Sequence, residues 1–228
     1  MRATIWNGVR ERVEALARQE RARDVFGADD RQGATGHRFR LDAPLTEQEV
    51  SAAETLWGIP LPGDYRDFLL EVGAGGAGPG YGLSTLRRTG TGWEWTDPSG
   101  NMRHDSLGIV FPGAEERARI LAEHEGREPV RSGFVTQEEF DTAYRVWQEA
   151  DDRLFDRFTA GALCLSHEGC GHCLWLVVTG CERGTMWVDG FPAEGGMRPL
   201  STQGAKIEFA DWYLDWIVNA EATVRRAF

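Results

Sequence analysis

Six side chains able to bind a soft metal or exchange electrons fall within the eighteen residues from Cys164 to Cys181: Cys164, His167, Cys170, His172, Cys173 and Cys181. Among them, Cys170-Gly171-His172-Cys173 has the CxxC spacing of a disulfide exchanger, in which a helix N-terminus stabilises the reactive thiolate. Here the apolar run Leu174 to Val178 follows at once. The motif is therefore predicted in a strand-to-strand turn, where that stabilisation is missing. Zinc needs a CxxC pair and two further ligands within tetrahedral reach. Cys164 is expected to face the core from a strand, Cys181 falls beyond the next strand, and a second CxxC is missing. Cys170, His172 and Cys173 remain the alternative metal ligands. The main expectation is no metal and no cofactor, with the thiols used as small packing groups.

Other chemistry is weaker still. Ser166 and His167 are a nucleophile and a base, but neighbours on a strand point to opposite faces and cannot cooperate directly. Gly73, Gly75 and Gly78 match GxGxxG, yet a helix precedes them and Pro79 follows, where a dinucleotide site needs a strand and then a helix. The predicted alternative is a tight turn whose backbone passes close to its neighbours. Carboxylates are spread along helix faces rather than paired, and no catalytic residue is assigned. Trp93, Glu94, Trp95 and Asp97 are the candidate partner-binding residues, because aromatics beside carboxylates suit a hot spot for a basic partner.

Composition narrows the class. The 228 residues are 41% hydrophobic with nine tryptophans and carry a formal charge of −11. This is a folded chain, since disordered segments are poor in aromatics. An acidic surface repels phosphate backbones, which argues against nucleic acid, and it attracts basic proteins. No segment reads as a signal peptide or a membrane span. A cytoplasmic protein with reduced thiols is expected.

The elements that position these residues follow from spacing. Ile5, Val9, Val13, Leu16 and Ala17 predict an amphipathic helix over 5–23. His37, Phe39 and Leu41 alternate with Arg38 and Arg40, which predicts a short half-buried strand. Thr46 and Glu49 form a capping box with Leu45 and Val50 as a hydrophobic staple, opening a helix that stops at Gly58. Pro62 is placed in the first turn of a second helix that buries Tyr65, Phe68, Leu69 and Val72. A strand carries Trp93 and Trp95, and 115–125 reads as a helix. A second capping box at Thr136 and Glu139, with staple residues Val135 and Phe140, opens a helix to about Phe158. Strands over 163–167, 174–180 and 185–190 follow, the last two as an antiparallel hairpin. Phe209, Trp212, Tyr213, Trp216 and Ile217 lie on one face of a terminal helix. Helices at both ends with antiparallel strands between them predict one α+β domain over 1–228, its core roughly 45–217, with an inserted helical segment at about 136–158.

The order of these features resembles a known family. LTEQEVSAAETLWGIPLPGDYRDFLLEVGAGGAG, the YGL after it, GALCLSHEGCGHCLWLVVTGCERGTMWVDG and FADWYLDWI together resemble the SUKH superfamily, the Smi/Knr-like domain. The resemblance implies a single antiparallel sheet flanked by helices and no catalytic activity. It also implies an immunity protein of bacterial type that binds and neutralises a polymorphic toxin, with a basic toxin domain as partner. Fungal relatives regulate cell-wall synthesis, so a regulatory or scaffolding module without a toxin is the alternative. The family supplies no catalytic or binding positions to carry over.

Overall fold

Two helices joined by a proline-held link form the first rigid unit. In the computed structural model, which describes residues 4–30, 36–90, 92–96, 104–124, 127–169, 172–189 and 196–226, the Thr46 hydroxyl accepts the Glu49 N–H at 3.3 Å. The Glu49 carboxylate accepts the Thr46 N–H at 2.8 Å. Two orphan donors are thereby satisfied at the start of α2 (Glu47–Trp57). Gly58 ends the helix in a left-handed conformation, φ 66°. The Glu54 carboxylate then accepts the Leu61 N–H at 2.7 Å, and Arg66 bridges Glu47 and Glu54. Pro62 is the N-cap of α3 (Gly63–Glu71) rather than a residue of its first turn. Tyr65, Phe68, Leu69 and Val72 are all buried, as their spacing requires.

The N-terminal region departs from expectation in two places. Its helix α1 runs only from Val9 to Leu16, because Gly8 at φ 74° sets its start. Ile5 is 55% exposed, and Trp6 enters the core instead, edge-on to Phe68 at 5.4 Å and Tyr213 at 6.0 Å. The segment from His37 to Arg40 is a turn and not a strand. Arg38 and Phe39 adopt positive φ (48° and 55°), and the Phe39 N–H donates to His37 Nδ1 at 3.0 Å. His37 and Phe39 are buried and Arg38 and Arg40 exposed, so the alternating pattern survives without the strand.

The fold is α+β, but among the described residues its strands make three antiparallel sheets rather than the single sheet expected. A hairpin pairs β1 (Leu86–Thr89) with β2 (Gly92–Trp95). The main sheet orders β3 (Ala162–Gly169), β4 (His172–Val177), β5 (Met186–Asp189) and β6 (Met197–Pro199), with Cys164 opposite Trp175 and Trp175 opposite Trp187. A two-residue pair, β7 (Ser201–Thr202) and β8 (Ala205–Lys206), precedes α6 (Phe209–Arg225). Cys173 to Val177 are all buried, so β4 is covered on both faces.

The glycine turn joins the helices to this sheet. Gly76 bridges both Leu41 and Leu83, and Leu83 bridges Ser166 on β3. The Ser84 N–H donates to the Leu165 carbonyl at 2.7 Å and the Tyr81 N–H to the His167 carbonyl at 3.0 Å. Gly76 has φ 100°, and a Cβ there would lie 2.4 Å from the Arg40 carbonyl oxygen. The predicted tight turn is thus a junction built by backbone contact.

Between hairpin and sheet stand α4 (Ala114–His124) and α5 (Gln137–Thr159). The Thr136–Glu139 capping box forms, but its staple does not: Val135 is 91% exposed, and Phe134 meets Phe140 instead at 5.8 Å. Leu154 and Phe158 anchor the second half of α5, with Phe155 edge-on to Trp175 at 6.0 Å. From Arg127 to Ala150 no residue is buried, so the first half of α5 projects from the core.

This geometry predicts opposite outcomes for two glycine substitutions. Gly76→Ala meets backbone in a left-handed conformation and should lower unfolding stability by at least about 2 kcal/mol. Gly63→Ala, at the start of α3 with open space around its Cβ, should be neutral or stabilising by up to about 1 kcal/mol. Urea titration of both variants checks the pair.

Candidate functional site

Two of the four cysteines, Cys164 and Cys173, are buried packing residues, and Cys181 is exposed. Cys173 is buried on β4 opposite His167, and Cys164 is buried on β3. Asp189, only 3% exposed, accepts the Cys173 N–H at 3.0 Å and the Trp175 indole N–H at 2.9 Å. Its other oxygen lies 3.6 Å from Nδ1 of the half-exposed His172. A buried carboxylate is costly unless hydrogen bonds replace its water, and here those bonds fix the start of β4. Gly169 at the end of β3 pairs with His172 at the start of β4; Cys170 and Gly171, between them, lie outside the described residues. Among the described residues, no three His, Cys, Asp or Glu side chains gather in a metal-holding group. The Ser166 hydroxyl donates to the Pro79 carbonyl at 2.7 Å, while the His167 ring packs on Tyr81. Nucleophile and base are thus engaged separately.

The tryptophan hairpin needs correction as a binding site. Trp95 is 1% exposed, lies 4.4 Å from Trp57 between ring centroids and donates its indole N–H to the Tyr65 hydroxyl at 2.7 Å. It is a core residue and cannot meet a partner. Trp93 is half-buried and packs against the core, and Glu94 pairs with Arg87 across the hairpin at 3.0 Å. Asp97 lies outside the described residues. One face of a short strand does not reveal which face the rest of the chain covers; here α2 and α3 cover the Trp95 side.

Concave surface lies elsewhere. A cleft of about 1170 Å³ opens between the 104–113 segment, the start of α4 and the end of α5. Its apolar floor includes Phe111, Pro112 and Ile120, with Ile109 (56% exposed) and Val110 (69% exposed) at the mouth. Asp105, Glu116 and Asp156 stand around it with Arg157. The Glu116 carboxyl is held below its ordinary pKa by hydrogen bonds from Arg119, so it stays ionised. A second groove of about 850 Å³ follows the first half of α5, lined by Val146, Trp147, Glu138 and Glu139 with Arg127 and Pro129 opposite. A third pocket, about 500 Å³, sits beside the glycine turn and combines Phe26, Trp212 and Trp216 with Asp24, Glu168 and Asp215.

The sequence signal for the first cleft was the apolar run Ile109-Val110-Phe111-Pro112 between two helices. It could not be read, because only the tertiary fold decides that Phe111 is buried while its two neighbours are not.

Fold and surface together define an α+β domain in which these three clefts combine apolar or aromatic floors with carboxylate rims, while a smaller pocket of about 370 Å³ is lined by Arg23 and Arg38 with Asp29. The family model of the SMI1 / KNR4 family (SUKH-1) matches residues 44–201, and the chain belongs to that family. Neither a curated protein nor a solved structure matches it. Among the described residues no helix is long and apolar enough to cross a membrane.

One buried group near the third pocket gives a pH signature. His37 lies between Phe39 and Trp216, and burial pushes its pKa from 6.5 down to about 4. Its folded pKa is below the unfolded value, so the unfolded state binds more protons between those limits. The stability from its neutral form is present above pH 6.5 and is lost as pH falls toward 4. Between pH 7 and pH 5 the wild type should lose about 2 kcal/mol through this group. His37→Asn keeps an acceptor for the Phe39 N–H and should remove most of that slope. Urea midpoints at the two pH values decide it.

Proposed function

We propose that this chain is a non-enzymatic protein-binding module of immunity type, whose partner is a basic toxin domain that it occludes. The observation that carries the reading is the pairing of apolar floor and carboxylate rim in the three clefts described above, on a chain of net charge −11. Such a surface accelerates encounter with a cationic partner and rejects anionic ones. Membership of a family that is generally non-enzymatic supports the same reading. So does the separate engagement of Ser166 and His167, which do not act on each other as nucleophile and base.

Occlusion is the simplest mechanism for such a surface. A basic active-site cleft, shaped to hold an anionic substrate, is covered by carboxylates that compete for the same cations. Release of the toxin then depends on breaking many weak contacts at once, while capture depends on long-range attraction.

The test is co-expression with the product of the gene beside this chain's own. Rescue of growth, together with a purified 1:1 complex, is expected. The association rate constant should fall about tenfold as salt rises from low to several-fold physiological, with a smaller change in the dissociation rate. A neighbouring toxin that kills equally with and without this protein, and forms no complex with it, overturns the proposal.

A further inference from the structure

The third pocket, of about 500 Å³, is walled by rings that other rings hold in place. Trp212, Asp215 and Trp216 line it from adjacent turns of α6, and Phe26 and Glu168 line it from the 24–26 segment and the end of β3. Behind these walls Trp212 lies 6.1 Å from Phe209, Trp216 5.3 Å from Tyr213 and Phe26 5.3 Å from Tyr81, between ring centroids. Yet Trp212 and Trp216 are only half-buried and Phe26 is 56% exposed. Three supported aromatic groups therefore reach one opening with part of their surface uncovered.

Charge at this opening has one sign. Its charged lining residues are Asp24, Glu168 and Asp215, with no arginine or lysine among them. Arg21 already takes Asp24 at 2.7 Å. Glu168 and Asp215 are exposed, and among the described residues neither is held by a cation. Arg225 of the same helix pairs with Glu221 at 3.3 Å instead.

We propose that this pocket anchors one arginine side chain of the protein partner, with its guanidinium on the ring faces and in reach of Glu168 and Asp215. The inference rests on the protein-binding reading above and names the group that docks and where it docks. A cation is attracted by the quadrupole of an aromatic face within about 6 Å of the ring centroid. Carboxylates beside those faces reject an anion and leave a purely apolar occupant without a counter-charge. Arginine suits both features better than lysine does. Its guanidinium is planar and weakly hydrated, so it stacks on a ring at smaller desolvation cost, and its fork of N–H donors matches a carboxylate. The walls are in place beforehand, so the ordering cost falls mainly on the incoming side chain. A second copy of this chain is the competing source of an arginine, but two molecules of net charge −11 repel each other.

The test titrates the isotopically labelled full chain with N-acetylarginine amide and follows the tryptophan indole N–H signals by NMR, assigned with Trp212→Phe and Trp216→Phe. The Trp212 and Trp216 signals should shift saturably, while those of Trp175 and Trp187, buried in the main sheet, should stay in place. The matching lysine amide should bind at least about threefold more weakly, and the neutral citrulline amide at least about tenfold. Glu168→Gln with Asp215→Asn, at exposed positions, should keep the melting temperature and weaken arginine binding at least about fivefold. An equal loss of charge outside the pocket, Glu11→Gln with Glu20→Gln, should change it less than about twofold.

Equal affinity for arginine and citrulline, tighter binding of lysine, or unchanged affinity in the Glu168→Gln, Asp215→Asn variant overturns the inference. So does a wild-type dimer that this variant converts to monomer, which would put a second copy's arginine in the pocket. Capture of the toxin separates the two readings. A complex weakened no more by the pocket pair than by the Glu11→Gln, Glu20→Gln control overturns the anchor and leaves the proposed function standing. No complex with the wild type overturns the proposed function, while the arginine titration still decides the pocket.

Discussion

The constraint on which the rest of the molecule depends is the close approach of backbones at the glycine turn. An edge strand exposes a row of unpaired donors and acceptors, and β3 is the edge of the main sheet. Tyr81 and Ser84 donate to that edge, the Ser84 hydroxyl reaches the Cys164 carbonyl at 3.0 Å, and the Ser166 hydroxyl reaches back to Pro79. From the other side the Tyr213 hydroxyl donates to the Ala77 carbonyl at 2.8 Å, tying α6 to the same turn. Side chains at Gly76 or Gly80 would fill the space these bonds need: a Cβ at Gly80 would sit 2.5 Å from the His167 carbonyl oxygen. The turn that follows the helices over 47–71 therefore meets the sheet through main chain, while the buried side chains of those helices share one hydrophobic core with it.

What the sequence revealed follows from how local each feature is. Both capping boxes, the Gly58 stop and the apolar face of α3 are decided within a few residues, and all were legible. The turn at His37 was not, because period-two burial is also produced by two left-handed residues when a side chain caps them. Helix α1 was overextended for a similar reason. Ile5 matches the helical spacing, but Gly8 breaks the continuity and Trp6 fills the space among Phe68, Phe209 and Tyr213. A larger aromatic beside a matching aliphatic won the core position. The expectation of one sheet failed at β1–β2: among the described residues this hairpin and the β3–β6 sheet are separate sheets.

Site residues divide in the same way. The expectation that the CxxC and GxGxxG matches carry no site rests on what precedes and follows each motif. That Asp189 supports Cys173 and Trp175 could not be argued in that way, since they stand on different strands and the register alone brings them together. Trp95 was misread because aromatics beside carboxylates describe an interface and a sheet edge equally well. The groove along α5 was illegible for a subtler reason. Its residues are unremarkable singly, and they acquire meaning only because the buried stripe of the same helix lies elsewhere.

A projecting helix with Val146 exposed, on a molecule that also exposes Ile109 and Val110, is a hazard as well as an opportunity. Apolar groups so placed would associate with any similar surface, including another copy. The carboxylates beside them change that balance at small cost to folding. Exposed carboxylates remain hydrated, so they neither demand partners nor strain the fold. Between two copies they face like charges over distances comparable to the Debye length of about 8 Å in physiological salt, and repulsion acts before apolar contact can form. Toward a cationic surface the same field is attractive over the same range. One set of charges thus keeps the apolar face free and decides what may cover it. Replacing the rim with neutral polar groups would preserve the shape and remove both effects together.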